Sequence, residues 1–331
     1  MFDYFKKKAD EGPDYIFQRP TIGLALGSGV ARGWAHIGVL RALAENGIKP
    51  DVIAGTSIGA VVGGAYVSGG LDALEDWARG LAKTNFFRFL DFKLLGGGLF
   101  GGAKLTDIMT KSFGDKKIED LPIPFIAIAC ELSTGHEVWL REGDLINALQ
   151  ASFALPGVFE PVAANGKWLV DGALVNPVPV SVCRALGAEM VISVNLAEDI
   201  YGKARAEREG LSGTGEYGVF DDDDKNVIMD EKIASKTMMR QLLSHKQGAP
   251  SLFANMVASL NIVQNRLSRS RLAGDPPDIS INPKCGHIGL MEFHRADELI
   301  NLGYKAIDDN KGEIIDALKV IGYRRNIGFS K

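Results

Sequence analysis

Two glycine-rich turns, each set between an apolar strand-like run and a helix-like run, constrain this chain more than any other feature. The first is Gly27-Ser-Gly-Val-Ala-Arg-Gly33, entered from Ile22 to Leu26 and left through Ala35 to Leu43, where apolar residues fall at helical spacing before an Asn46-Gly47 stop. The second is Gly55-Thr-Ser-Ile-Gly59, entered from Asp51 to Ala54 and left through Ile58 to Val67. A strand that turns at once into a helix, twice in succession, predicts a β-α-β-α opening and therefore parallel strands with helices on the faces of the sheet. Pro124 to Cys130 then reads as a buried strand with His136 to Leu140 as its neighbour. Lys167 to Asp171 is a further short strand, Val178 to Leu186 a helix, and Met190 to Asn195 another buried strand. Helical periodicity returns over Ser251 to Leu272 and Phe293 to Val320.

With 331 residues, 46% of them hydrophobic, the chain can bury one large α/β core. The expected organisation is an N-terminal segment over 1–20 and one hydrolase-sized domain over 21–325. Within it, 200–250 breaks into Gly, Ser and charge and is expected to be a mobile insertion or lid. A C-terminal helical part over 251–325 is expected to pack on the sheet. The acidic run Asp221 to Asp224 lacks the alternating ligand spacing of a calcium loop and reads as a solvated face. Val52 to Leu71 is free of charge over twenty positions, but six are glycine and three are Ser or Thr, which suits a packed turn and helix better than a membrane span.

A net charge of −4 argues against a general electrostatic grip on nucleic acid or anionic lipid, so no nucleic-acid partner is expected, while a local basic patch stays open. Cys130, Cys183 and Cys285 are odd in number, widely spaced and not paired as metal ligands, which points to reduced thiols in a cytoplasmic protein. The N-terminus has Lys6, Lys7 and Lys8 without a following apolar stretch, unlike a secretory signal. Phe2, Tyr4 and Phe5 beside those lysines leave a peripheral membrane contact open.

The chemistry suggested by the turns is acyl transfer. A serine hydroxyl is a poor nucleophile until it is set on a tight bend, given a base and faced with oxyanion donors. Gly55 and Gly59, two residues either side of Ser57, leave room for such a bend at a helix N-terminus. The first turn, Gly27 to Gly33, frees backbone N–H groups to meet an anion, with Gly29 and Val30 as the candidate donors. Asp171-Gly172, far downstream, offers a carboxylate. A dinucleotide-type phosphate loop is the competing reading of the first turn, although its G-x-G-x-x-x-G spacing is one residue too long. A packing turn with an N-cap serine is the competing reading of the second.

At this point the residues resemble a family. Leu26 to Leu40, Gly55-Thr-Ser-Ile-Gly59, Leu155-Pro-Gly-Val-Phe-Glu-Pro161 and Asp171-Gly-Ala are similar to motifs of the bacterial patatin-like phospholipases. Gly286-His-Ile-Gly-Leu290 and Phe293-His-Arg-Ala296 resemble the C-terminal segment of the same subgroup. The resemblance covers about residues 20 to 320 apart from the insertion. It implies a three-layer α/β/α patatin-like fold with a mainly parallel central sheet, and a Ser-Asp dyad that cleaves lipid acyl esters. Ser57 would be the nucleophile and Asp171 the general base. Gly29 and Val30 would form the oxyanion hole, supported by Gly27, Ser28, Arg32 and Gly33, and Gly55 and Gly59 would shape the nucleophile elbow. Ser28 and Val30 depart from the pattern, since many members have glycine there, which puts the donor pair in question. The donors are expected to work with side chains present, provided φ stays negative.

A Ser-Asp dyad needs no histidine, metal or cofactor, and none is expected. His36 is read as a packing and hydrogen-bonding residue, whereas His287 and His294 sit in the right chain order for a Ser-Asp-His triad and are the main challenge to the dyad. The aromatic-rich stretch from Phe86 to Phe100 is read as an acyl-pocket wall or a segment that dips into a membrane surface, or else as core with a flexible hairpin. A helical stripe of Leu252, Phe253, Met256, Val257, Leu260, Val263 and Leu267 is expected to face the core or a dimer partner, leaving a homo-oligomer open. The expected partner is a lipid or small acyl-ester substrate. A nucleotide- or phosphate-binding module and a catalytically idle regulatory scaffold stand as the alternative functions.

Overall fold

The computed structural model describes residues 15–17, 19–81, 91–92, 98–101, 103–199 and 252–325. The anticipated lid over 200–250, the acidic run, the N-terminal lysines and most of the Phe86 to Phe100 stretch lie outside them. Thirteen strands are described: β1 (Tyr15–Phe17), β2 (Ile22–Leu26), β3 (Val52–Thr56), β4 (Asp91–Phe92), β5 (Gly98–Gly101), β6 (Phe125–Glu131), β7 (Glu137–Leu140), β8 (Gly157–Phe159), β9 (Val162–Ala164), β10 (Lys167–Asp171), β11 (Met190–Val194), β12 (Ile279–Ile281) and β13 (Tyr323–Arg325). The helices are α1 (Ala35–Glu45), α2 (Ile58–Ser68), α3 (Leu71–Arg79), α4 (Ala103–Phe113), α5 (Leu145–Phe153), α6 (Val180–Ala185), α7 (Leu252–Gly274) and α8 (Ala296–Gly322).

The eight-stranded central sheet has the order β12-β11-β2-β3-β6-β10-β9, with β7 also on β6. From β12 to β6 every neighbouring pair is parallel, and β7, β10 and β9 extend the sheet with antiparallel pairs. All residues of β2, β3, β6 and β11 are buried, as expected of strands covered on both faces. Alternation divides them between two cores. Ile22, Leu24, Leu26, Ile53, Phe125 and Ile192 join the larger cluster with α1, α2 and α8. Ala25, Ala54, Ile126, Ile128 and Val191 face the smaller one with Val182 and Cys183 of α6 and Leu272 of α7. The result is three layers, α/β/α.

Two glycines set the approach of the last helix. A Cβ on Gly38 of α1 would come within 1.8 Å of the Ile300 carbonyl oxygen, and one on Gly303 of α8 within 1.9 Å of the Ala35 oxygen. Backbones that close tolerate no side chain, so α8 is locked across α1 by this pair of glycines. The β9–β10 hairpin turns on Asn165 (φ 49°) and Gly166 (φ 75°), the two positive-φ positions of a tight two-residue hairpin, and so aims β10 back along β6.

The helical stripe expected on α7 meets the core in its N-terminal half, where Met256 and Leu260 pack with Val257 against the larger cluster, and drifts off it further along. Val257, Gln264 and Ser268 are buried, while Val263 is 55% exposed. Toward the end of the helix Arg271 donates to the Val175 carbonyl in the turn after β10 (3.0 Å) and to Glu137 at the start of β7 (3.0 Å).

Candidate active site

The site is built by register. β3 runs parallel to β6 and pairs Thr56 with Ile128, whereas β10 runs antiparallel to β6 and pairs Asp171 with Ala129. Both lie on one edge of β6, because β7 pairs with Ala127 to Cys130 along the other. Two strands therefore meet end to end on adjacent residues of a third, and the first residue beyond Thr56 arrives at Asp171.

That residue is Ser57, and its backbone is bent as a nucleophile elbow requires, with φ 58° and ψ −126°. For a non-glycine residue this conformation stores about 1–3 kcal/mol. The bend is made possible by its flanks. A Cβ on Gly55 would fall 2.5 Å from the Ala60 Cα, and one on Gly59 would fall 2.3 Å from the Leu26 carbonyl oxygen. Ser57 Oγ donates to Asp171 Oδ2 at 2.7 Å, and Asp171 Oδ1 accepts from the Ala173 amide at 2.8 Å. Burial pushes the Asp171 carboxyl up to about 7, against the pull of the Ala173 and Ser57 hydrogen bonds. A carboxylate with that basicity takes a serine proton more readily than an ordinary aspartate does.

The glycine loop lies next to this pair. The amides of Gly27, Ser28, Ala31 and Arg32 donate to the carbonyls of Val194, Pro177, Leu290 and Gly29 respectively. Among the described residues that leaves the amides of Gly29 and Val30 uncommitted in the run from Gly27 to Arg32. Val30 lines the cavity that holds Ser57 and Asp171. Its φ is +52°, not negative as expected. The loop imposes this on a valine because the next amide, Ala31, is tied to Leu290 at 3.1 Å. Gly27, Gly29 and Gly33 are packed against Val194, Leu196 and Ile58 too closely for a Cβ.

Arg32 is buried and donates to the carbonyls of Ile288 (2.7 Å) and Gly286 (3.2 Å). The Gly286 to Leu290 motif thus clamps the loop from the far end of the chain. His36 is fully buried on α1 and its Nε2 lies 2.7 Å from the Gly27 carbonyl, so it braces the start of the loop. Burial lowers its pKa to about 4, which keeps the imidazole neutral. His287 is bound to Glu298 at 2.7 Å, and neither it nor His294 lines the cavity.

Three contributors were missing from the sequence reading. Ser152 of α5 accepts the Ser57 amide on its Oγ at 2.9 Å, the Ala154 carbonyl accepts the Asp171 amide at 2.9 Å, and Thr56 Oγ1 donates to the Asn176 carbonyl at 2.8 Å. The signal that could have revealed α5 is its N-cap, Asp144, whose carboxylate accepts the Asn147 amide at 2.6 Å. Over Ser57 and Asp171 opens a cavity, about 860 Å³ when its mouth and the open solvent there are counted in. Apart from Ser57, Asp171 and Ser112, its walls are apolar, with Trp34, Trp77, Met109, Phe153 and Phe293 among them. The Trp34 ring meets Trp77 and Phe293 edge to face. Among the described residues, no cluster of three or more His, Cys, Asp or Glu side chains is placed to hold a metal.

A family profile described as patatin-like phospholipase matches residues 24–184, a span that contains both Ser57 and Asp171. An uncharacterized NTE family protein of Mycobacterium tuberculosis is 33% identical over 323 residues, with 86% of this chain and 89% of that protein covered. Patatin-like phospholipase domain-containing protein 6 of Homo sapiens is 30% identical over 221 residues, covering 63% of this chain and 16% of that protein. Lysophospholipase NTE1 of Pyricularia oryzae is 28% identical over 294 residues, covering 86% of this chain and 18% of that protein.

Proposed function

The chain belongs to the patatin-like phospholipase family, hydrolases acting on ester bonds, and from that premise we propose that it cleaves carboxylic esters of lipids with a Ser57-Asp171 dyad. The observation that carries this reading is the 2.7 Å hydrogen bond from Ser57 Oγ to a buried carboxylate, beneath a cavity whose walls are almost wholly apolar.

In the proposed reaction the acyl chain fills the cavity and its carbonyl carbon lies against Ser57 Oγ. As Oγ attacks, its proton passes to Asp171 Oδ2, and the carbonyl oxygen takes up the negative charge. The amides of Gly29 and Val30 hold that oxyanion. Collapse breaks the ester C–O bond, and the leaving alcohol takes the proton from Asp171. A water then gives its proton to Asp171 and attacks the acyl-serine, which releases the fatty acid and restores Ser57. No step requires histidine.

A lipid ester is met at a bilayer or micelle surface, and a peripheral contact suits this enzyme. Among the described residues no helix is long and apolar enough to cross a membrane. The 23-residue α7 contains no acidic residue, and Ile262 and Val263 are exposed on it near Arg266 and Arg269, a face that suits an anionic surface.

Turnover of acyl esters graded from short to long chains tests the proposal, with Ser57→Ala and Asp171→Asn alongside and folding checked by thermal melt. Loss of turnover in both folded variants is expected. Unchanged turnover in folded Ser57→Ala would remove the dyad, and an inactive parent on every ester, micellar phospholipid included, would favour an idle scaffold.

A further inference from the structure

Four consecutive residues at the end of α5 alternate between the dyad and the cavity. Ser152 Oγ accepts the Ser57 amide at 2.9 Å, and the Ala154 carbonyl accepts the Asp171 amide at 2.9 Å. The residues between and after them, Phe153 and Leu155, line the cavity. One short stretch of backbone thus holds both members of the dyad from behind and forms part of the wall that an acyl chain would press.

The stretch can transmit that pressure. Ala154 leaves the helix with φ −68° and ψ 69°, so its carbonyl is turned out of the helical ladder toward Asp171. Phe153 is braced edge to face against Phe159, another wall residue, at 5.3 Å. Ser152 has no exposed surface. Its bond also occupies the Ser57 amide, so that amide is not an oxyanion donor.

Building on the acyl-hydrolase reading, we propose that Ser152 is a positioning residue that couples occupancy of the acyl cavity to the geometry of Ser57 and Asp171. A chain long enough to load Phe153 and Leu155 seats the last turn of α5 and brings the dyad into line, so chain length raises kcat and not only affinity. Ser152 touches neither substrate nor the reacting atoms and acts through the Ser57 backbone.

The test is kcat and KM across an ester series from short to long acyl chains for the parent, Ser152→Ala and Phe153→Leu, each with a thermal melt. In the parent, kcat is expected to rise roughly tenfold or more along the series. In Ser152→Ala, kcat for long chains is expected to fall about 10–100-fold while that for short chains falls less, with the chain-length dependence of KM kept. Phe153→Leu leaves both hydrogen bonds in place and is expected to flatten the kcat series; it carries the test alone if Ser152→Ala does not fold. An equal loss of kcat at every chain length in Ser152→Ala, or a parent whose chain-length effect lies wholly in KM, overturns the coupling. Either result is distinct from failure of the hydrolase reading, which would appear as turnover persisting in Ser57→Ala.

Discussion

Ser57 Oγ lies 2.7 Å from Asp171 Oδ2 because β3 and β10 end on neighbouring residues of one edge of β6. The pairing of these two side chains is thus a property of sheet register, with β3 buried along its whole length and β10 buried over Leu169 to Asp171. A one-residue slip of β10 would turn Asp171 to the opposite face of the sheet and abolish the pair.

The raised pKa of Asp171 has opposite consequences for stability and activity. Its carboxyl moves from an ordinary 3.8 to about 7, so the folded state holds a proton that the unfolded chain releases between those values. Stability from this group is full below 3.8 and is lost as pH rises toward 7, by up to about 4 kcal/mol. Asp171→Asn is therefore expected to be more stable than the parent at pH 8, measured by urea denaturation, and inactive. Parent turnover is expected to rise with pH through about 7. A variant no more stable at pH 8 would contradict this.

His36 acts with the reverse sign. Burial takes it from 6.5 to about 4, so the unfolded chain binds a proton that the folded chain refuses, and stability falls as pH drops across that window, by up to about 3 kcal/mol. Within it Asp171 contributes an opposing slope, each near 1.4 kcal/mol per pH unit. Denaturation midpoints of the parent between pH 4 and 6.5 should thus be nearly flat as far as these two groups decide them. Asp171→Asn should lose stability on acidification, and His36→Gln should gain it.

The positive φ of Val30 predicts an unusual substitution. Val→Gly normally destabilises by loosening the unfolded chain. Here relief of about 1–3 kcal/mol of backbone strain opposes that loss, and the amide donor is retained. Val30→Gly is expected to melt at or above the parent temperature and to keep its turnover. A melt several degrees lower, or a large loss of kcat, would show that the valine side chain is required.

The crossing of α1 and α8 is testable with one methyl group. Gly303→Ala places a Cβ against the Ala35 carbonyl, a backbone atom that cannot rotate aside. A loss of at least about 1–3 kcal/mol in chemical denaturation is expected, as for overpacked cores. Gly312→Ala on the same helix, where a Cβ meets nothing, should be neutral or stabilising.

Much of this was readable from residues. The glycine turns locate β2, β3, α1 and α2, and the motifs single out Ser57 and Asp171, whose side chains lie 2.7 Å apart. Register was not readable, since nothing local to β3 or β10 says that both pair with β6. The conformation of Val30 was misjudged for the same reason: a distant carbonyl, Leu290, holds the adjacent amide. Helix α5 is absent from the sequence reading although Asp144 marks its start and Leu145, Leu149 and Phe153 recur at helical spacing. On α7 apolar spacing locates Met256, Val257 and Leu260 on the core but not the inward Gln264 and Ser268 further along, which apolar spacing does not mark.

The central claim is that Ser57, activated by Asp171, is the nucleophile. Reaction with a fluorophosphonate ester followed by peptide mass mapping tests it most directly, since the reagent bonds to an activated serine and stays there. The account predicts one adduct, on Ser57, formed in the parent and greatly slowed in folded Asp171→Asn. An adduct on another residue, or ester turnover that persists with Ser57 unlabelled, would contradict it.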